Sequence, residues 1–203
     1  PGYTREEDDE AKFLPLAVAS ARQALSIDPN IGEAHAVLAQ INAERGNLLD
    51  AESGFFFAIS LEPNEPTPHH WYSLLLSRVG RLNLVLDQAR KAQELDPTSP
   101  VLAANLAGMY LMLGEDEQAL RFSKLAVDLG LSKKQSGIES AVAMRRGQWD
   151  AARRLIVAQE DLPPEVRPQA TRYVDAVENP GLRAAVIAEM RAIDPKIMPP
   201  IGL

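Results

Sequence analysis

The stretch that decides the fold is Ala92-Gln93-Glu94-Leu95-Asp96-Pro97, an apolar-periodic segment closed by an acidic residue and a proline. Proline cannot continue a helix and pushes its predecessor out of the helical region, so Asp96-Pro97 reads as a stop. The same stop stands 34 residues earlier at Leu61-Glu62-Pro63, and 34 before that at Ile27-Asp28-Pro29. Ala24, Ala58, Ala92 and Ala126 keep the interval, and Ile27, Leu61, Leu95 and Leu129 run beside them. Midway, Gly46, Gly80 and Gly114 share it too, where a chain leaving a helix often needs a left-handed residue. Each unit therefore reads as helix, glycine turn, second helix and proline stop. The small alanines let neighbouring helices approach closely.

The period predicts helical hairpins over 32–45 and 48–61, 66–79 and 82–95, 99–113 and 116–129, and 132–146 and 148–160. The fourth is one residue short, since Gly147 follows Gly114 by 33, and Pro164 restores the closing proline. A half-repeat precedes them, with Pro15 opening a helix that runs to Ile27, because proline is tolerated in the first helical turn. A degenerate pair follows over 165–177 and 180–193, ending at Asp194-Pro195; terminal repeats are commonly atypical because one face has no neighbour. The expected organisation is an acidic segment or partial helix at 1–14, a repeat array at 15–164, a degenerate capping pair at 165–195 and a tail at 196–203.

Composition agrees with a packed helical chain. Of the 203 residues, 46% are hydrophobic, 24% charged and only 5% aromatic, which argues against disorder and suits helices better than sheets. The net charge is −7, much of it in the run Glu6-Glu7-Asp8-Asp9-Glu10. The basic clusters, Lys133-Lys134 and Arg145-Arg146, are too small for a phosphate-neutralising face, which excludes nucleic acid as the expected partner. With no cysteine, disulfides, thiolate metal sites and cysteine nucleophiles are excluded. No apolar stretch reaches the ~18 residues of a membrane span. A soluble chain is expected, with cytoplasm favoured over periplasm. The chain opens Pro-Gly-Tyr without Met, which fits an excerpt of a longer protein.

These columns resemble the tetratricopeptide repeat (TPR), a 34-residue helix–turn–helix unit. Gly114-Glu115-Asp116-Glu117-Gln118-Ala119 and Gly147-Gln148-Trp149-Asp150-Ala151-Ala152 are similar to the family's turn and second-helix start. Leu38, Tyr72 and Leu106 meet its large first-helix column, with Ala39, Ser73 and Ala107 beside them, and Tyr110 and Phe55 fit aromatic columns. Asn42, Leu76 and Val85 depart from the pattern. The resemblance covers 15–164 well and 165–195 weakly. It implies an all-α, right-handed superhelix of antiparallel helix pairs, an α-solenoid of four full units with a partial unit before and a degenerate one after. It also implies a protein-binding scaffold rather than an enzyme. A narrower set, His69-His70-Trp71-Tyr72, Gly80-Arg81 and Ala92 to Pro97, is similar to repeats of bacterial signalling proteins, namely winged-helix transcription regulators and adenylate-cyclase-like proteins. That likeness implies the alternative of a C-terminal regulatory, sensing or oligomerisation region.

In such a superhelix the concave face is lined by the first helix of each repeat. Carried over column by column, the resemblance implies a groove of Glu33, Gln40 and Glu44 in the first repeat, and Thr67, His70, Leu74, Ser77 and Arg78 in the second. Val101, Ala104, Gly108, Leu111 and Met112 follow in the third, and Lys134, Ala141, Met144 and Arg145 in the fourth. Its middle is apolar and its far end basic, which fits a protein or peptide segment with an apolar anchor beside acidic residues. The spacing of Leu111, Met112 and Met144 equally suits inter-helix core, and the sequence leaves both readings open. Relatives that grip a chaperone's terminal carboxylate use a clamp that Asn105 and Lys134 match in part. Ala36, His70, Leu74 and Ile138 do not supply the rest, so that binding is disfavoured.

No chemistry-bearing motif competes with this reading. His69 and His70 point about 100° apart on a helix and cannot share one ion as residues one turn apart could. His69 is expected between helices, with His35 in the corresponding column, and His70 on the groove. The acidic run lacks the alternating ligands and glycine of a calcium loop, while Thr4 with Glu7 resembles a capping box. No phosphate loop, nucleophile elbow or paired-histidine motif occurs, so neither cofactor, metal nor catalytic residue is expected. Trp71, Trp149 and the terminal helices offer routes to homo-oligomerisation.

Overall fold

Each interval between prolines resolves into two antiparallel α-helices joined by a glycine turn. The computed structural model describes residues 3–131, 137–158 and 166–191. In chain order the helices are α1 (Tyr3–Ile27), α2 (Gly32–Glu44), α3 (Leu48–Leu61), α4 (Pro66–Arg78), α5 (Leu82–Leu95), α6 (Pro100–Leu113), α7 (Asp116–Asp128), α8 (Ile138–Arg145), α9 (Trp149–Val157), α10 (Arg167–Glu178) and α11 (Arg183–Arg191). No strand occurs among the described residues. Pairs α2–α3, α4–α5 and α6–α7 are the full hairpins, α8–α9 a shorter fourth and α10–α11 the closing pair.

The glycine turns are left-handed where the column requires it: φ is 81° at Gly46, 73° at Gly80, 81° at Gly114 and 67° at Gly147. The next residue returns its N–H to the helix end, as from Asn47 to Asn42 O at 2.9 Å and from Arg81 to Leu76 O at 2.9 Å. This closes carbonyls that a helix end otherwise leaves open. At the proline stops the anchor is the proline's own carbonyl. His35 Nε2 donates to Pro29 O at 2.9 Å and His69 Nε2 to Pro63 O at 3.1 Å. At the third stop that histidine column holds Ala103, and Gln93 Nε2 donates to Pro97 O at 3.2 Å instead. The fourth stop has Leu131 in place of proline, and the chain turns on Gly130, with φ 105°.

Packing divides the array in two. Ala58, Ala92 and Ala126 are fully buried, as their column predicts. The larger core cluster runs through α2 to α7 around Phe55, Tyr72, Leu76, Val85, Leu106 and Tyr110. Each such side chain contributes roughly 1.5–3 kcal/mol when buried. A smaller cluster of Ala143, Ala152 and Val174, with Trp149, Leu155 and Ile156 against it, holds α8, α9 and α10. Ion pairs reinforce that C-terminal part: Arg145 with Asp116 at 2.6 Å, Arg146 with Glu117 at 2.6 Å, Arg153 with Asp175 at 2.8 Å, and Arg172 with Glu189 at 2.9 Å. Solvent screens pairs exposed in this way and they add little, so the first three hairpins, with the larger core, are the firmer part.

Four details differ from the sequence-based expectation. Helix α1 starts at Tyr3 and carries Pro15 in its interior, so Pro15 does not open it and the helix crosses the boundary expected at 14/15. A proline removes one ladder bond, here to Ala11 O, and the good helix formers around it sustain the helix. Thr4 lies inside α1 rather than capping it. Helix α8 is only eight residues because Gly137 stands outside it as N-cap. The segment expected as one helix over 180–193 begins with a separate 3-10 turn, Pro180–Leu182, since Asn179 Oδ1 accepts from Gly181 N at 3.0 Å and holds the turn apart. Pro164, Asp194-Pro195 and the 196–203 tail lie outside the described residues.

Candidate partner-binding face

The two sides of the array are not equivalent. Each first helix touches the next, α2 with α4, α4 with α6, α6 with α8 and α8 with α10. Successive second helices make no comparable contact among the described residues. The first helices therefore form the inner side of the curve, and their uncovered faces line it.

On α6 the inner stripe is Val101, Asn105, Gly108 and Met112, spaced i, i+4, i+7 and i+11 so that all four share one face. Val101 and Met112 are 55% and 54% exposed. A Cβ placed on Gly108 would meet no atom within 4 Å, so open space lies above it. On α4, Thr67, His70 and Leu74 are half-buried and Arg78 is exposed. A polar bridge joins the two helices: Asn105 Nδ2 donates to His70 Nδ1 at 3.2 Å and to Ser73 Oγ at 3.0 Å, while Ser73 Oγ donates to His70 O at 2.6 Å. An imidazole that accepts at Nδ1 is neutral and carries its proton on Nε2. Burial, which lowers the His70 pKa from its ordinary value, favours the same neutral form.

Other expected groove residues also make contacts within the fold. Gln40 donates to Glu44 at 3.0 Å along α2, and the Glu33 backbone N–H donates to the Glu62 carboxylate at 3.0 Å. Leu74 and Leu111 pack, partly buried, against the larger core cluster and Met144 against the smaller one. Met112 stays outside both. Ala104, Leu111 and Ile138 share the wall of an apolar recess of about 350 Å³ between α6, α7 and the start of α8.

At the expected basic end of the groove, Arg145 has partners within the fold. Arg145 donates to Asp116 Oδ1 and to Leu111 O, both at 2.6 Å. Its guanidinium bridges the last turn of α6 and the first of α7. Lys134 lies outside the described residues. Arg78, near the other end, carries no ion pair among the described residues.

The two adjacent histidines differ in burial. His69 is buried between helices, as expected, with Nδ1 at 2.7 Å from Gln88 Oε1 of the neighbouring helix, and His70 is half-buried. Asn105 is the functional candidate that column reading undervalued: it entered only as a fragment of a clamp, although its spacing from Val101 and Met112 already puts it mid-stripe. Trp71 and Trp149 are half-buried against their own clusters. No helix among the described residues is long and apolar enough to cross a membrane.

Solved repeat structures share this fold. One match is the APC/C hetero-tetramer Cut9–Hcn1, with TM-score 0.67 and 18% identity, covering 93% of this chain and 38% of that one. The chain thus spans little more than a third of the length of that relative. YrrB, described as a TPR protein with an unusual peptide-binding site, matches with TM-score 0.60 and 16% identity over 88% of this chain and 92% of its own. PilF of Pseudomonas aeruginosa matches with TM-score 0.66 and 18% identity over 98% and 89%. The chain has the tetratricopeptide-repeat fold. No family model and no curated protein matches this TPR array, and the likeness is one of fold. The narrower resemblance to bacterial signalling proteins finds no support among these TPR structures.

Proposed function

We propose that the TPR array is a protein-interaction scaffold that holds an extended peptide along the inner face of α4 and α6. The observation that carries this reading is the α6 stripe: two apolar side chains more than half exposed, with an open glycine between them and one polar residue beside it. Exposed apolar side chains in a row rimmed by polar groups mark binding surfaces more often than chance exposure does. The polar bridge adds complementary chemistry. His70 Nε2–H is a donor and the Asn105 carbonyl oxygen an acceptor, the pair that one backbone carbonyl and one backbone N–H of a peptide would satisfy. Val101 and Met112 would take apolar side chains on either side, methionine adapting to varied shapes. The peptide-binding YrrB lends support as a protein of the same fold. With Arg145 occupied, preference for an acidic flank would rest on Arg78.

The test is a peptide library screened against the native array, followed by titration of a recovered peptide into Val101→Asp, Met112→Asp and Gly108→Gln variants. All three positions are open to solvent, so helical content and melting are expected to stay near the parent's. Each variant should weaken the peptide by about tenfold or more, roughly 1.4 kcal/mol. Peptides that bind all three variants as well as the parent would overturn the reading.

A further inference from the structure

The joint between α4 and α6 has a direction built into it. The hydroxyl hydrogen of the buried Ser73 is committed to His70 O at 2.6 Å, so its oxygen has only lone pairs left for Asn105. The Asn105 atom 3.0 Å from that oxygen is therefore the amide nitrogen, and the same nitrogen lies 3.2 Å from His70 Nδ1. Both amide hydrogens are then used, one on each neighbour. The two ends left over are His70 Nε2–H and Asn105 Oδ1. Among the described residues, the buried side-chain atoms lacking a partner are Gln93 Oε1 and Gln169 Oε1. Neither end of the joint is one of them, so both reach water.

This arrangement stands only while Nδ1 keeps a bare lone pair. A proton there sets N–H against N–H at 3.2 Å. The ionisable groups of the packed helices have partners of their own. Helix α6 carries no charged residue, and its Tyr110 meets Arg90 of α5 and the Phe122 ring. On α2, Glu44 accepts from Gln40, and on α3, Glu52 accepts from Tyr72 and Arg81. On α4 itself, His69 is turned to Gln88 and Pro63 O, and Arg78 lies two turns further on. Burial is what moves the His70 pKa, downward, with no carboxylate beside it to favour the charged form.

We propose that Asn105 is a reversible specificity residue, its amide turning over when His70 takes up a proton, so that the inner face exchanges an acceptor for a donor. The turned amide puts Oδ1 where Nδ2 stood, accepting from His70 Nδ1–H and from the Ser73 hydroxyl, and its two N–H bonds point outward. His70 O gives up the Ser73 hydroxyl and keeps the N–H of the next helical turn. The neutral joint offers Nε2–H beside Oδ1, a donor and an acceptor that suit a peptide backbone. The charged joint offers two donors and a positive charge, which suit a carboxylate. A peptide that takes the donor–acceptor pair therefore binds fully above the His70 pKa and is lost as pH falls through it, while an acidic peptide gains over the same interval. The consequence for peptides rests on the groove reading; the turn of the amide does not.

The turn is tested without a peptide by following the His70 ring nitrogens in NMR through an acid titration, assigned by their loss in His70→Gln. The native ring is expected as the Nε2–H tautomer at about pH 7.5, with its midpoint below 6.5. Asn105→Asp, whose carboxylate can only accept, should raise that midpoint above 6.5. A terminally blocked peptide without ionisable side chains, recovered at about pH 7.5, should bind about tenfold more weakly at about pH 5. His70→Gln, which keeps an acceptor for Asn105 and cannot be charged, should remove that dependence. An Nδ1–H tautomer overturns the proposal, as does a midpoint unmoved by Asn105→Asp. Equal pH dependence of peptide binding in the native and His70→Gln chains also overturns it. Where no peptide is recovered, the groove reading fails and the ring titration still decides the turn of the amide.

Discussion

Gly54→Ala is the substitution on which the packing account is most exposed. A methyl at residue 54 lies 2.8 Å from Ala39 Cβ and 3.4 Å from Ala39 Cα, where comfortable carbon contacts are about 3.5–4.0 Å. Neither methyl has a rotamer to move, and Ala39 is itself buried in α2. Relief therefore requires α2 and α3 to part by about 1 Å along their contact. Overpacking of this kind costs roughly 1–3 kcal/mol. Alanine returns about 1 kcal/mol through its better helix propensity. The two terms leave a net loss of up to about 2 kcal/mol, or up to roughly 8 °C in Tm for a chain of this size. Gly108→Ala gains the same propensity and meets no atom, so it should raise Tm by roughly 2–4 °C. Thermal melts followed by circular dichroism give both signs in one experiment. Ala39→Gly placed in the Gly54→Ala chain should recover stability that the same change costs in the parent, a coupling of at least about 0.5 kcal/mol. Equal shifts for Gly54→Ala and Gly108→Ala, or no coupling to residue 39, would refute the close approach of α2 and α3.

Three further outcomes follow from the polar contacts. Burial lowers the His70 pKa from 6.5, so the unfolded chain takes up the proton first as the solution is acidified. The stability tied to the neutral imidazole is then present above 6.5 and lost as pH falls from there toward the folded value. His70→Gln should shrink the fall in Tm between about pH 7.5 and 5.5, and an unchanged fall would deny the burial. Arg145→Ala should lower stability by about 1 kcal/mol, less at high salt, because Arg145 holds Asp116 and Leu111 O; an unaltered Tm would return Arg145 to the groove. The Tyr72 phenol is pushed up to about 12 by burial first, with its bond to Glu52 adding to it. Tyr72→Phe should remove a step near pH 12 from the alkaline absorbance titration, and persistence of that step would place it elsewhere.

What the sequence disclosed follows physical necessity. Gly46, Gly80 and Gly114 are legible because only a residue tolerating positive φ closes that turn cheaply. Ala58, Ala92 and Ala126 are legible because the space between helices admits one methyl. Pro15 misled because proline's local preference for a first helical turn was outweighed by the helix formers on either side. The short α8 was hidden because Gly137 has no counterpart in the other repeats. The ion pairs of the C-terminal part left no periodic mark, since charged residues recur on any solvated helix.

The binding face was legible in outline only, and Arg78 and Arg145 show why. Both occupy groove columns, and nothing within several residues of either distinguishes them. Their difference lies 29 and 34 residues away, in Asp116 and the Leu111 carbonyl, which reach Arg145 only once the repeats have stacked. A column tells which side a residue faces; the neighbouring repeat decides whether its chemistry is already spent. The open stripe of α6, where no neighbouring repeat covers Val101 and Met112, is therefore the surface on which the proposed peptide binding rests.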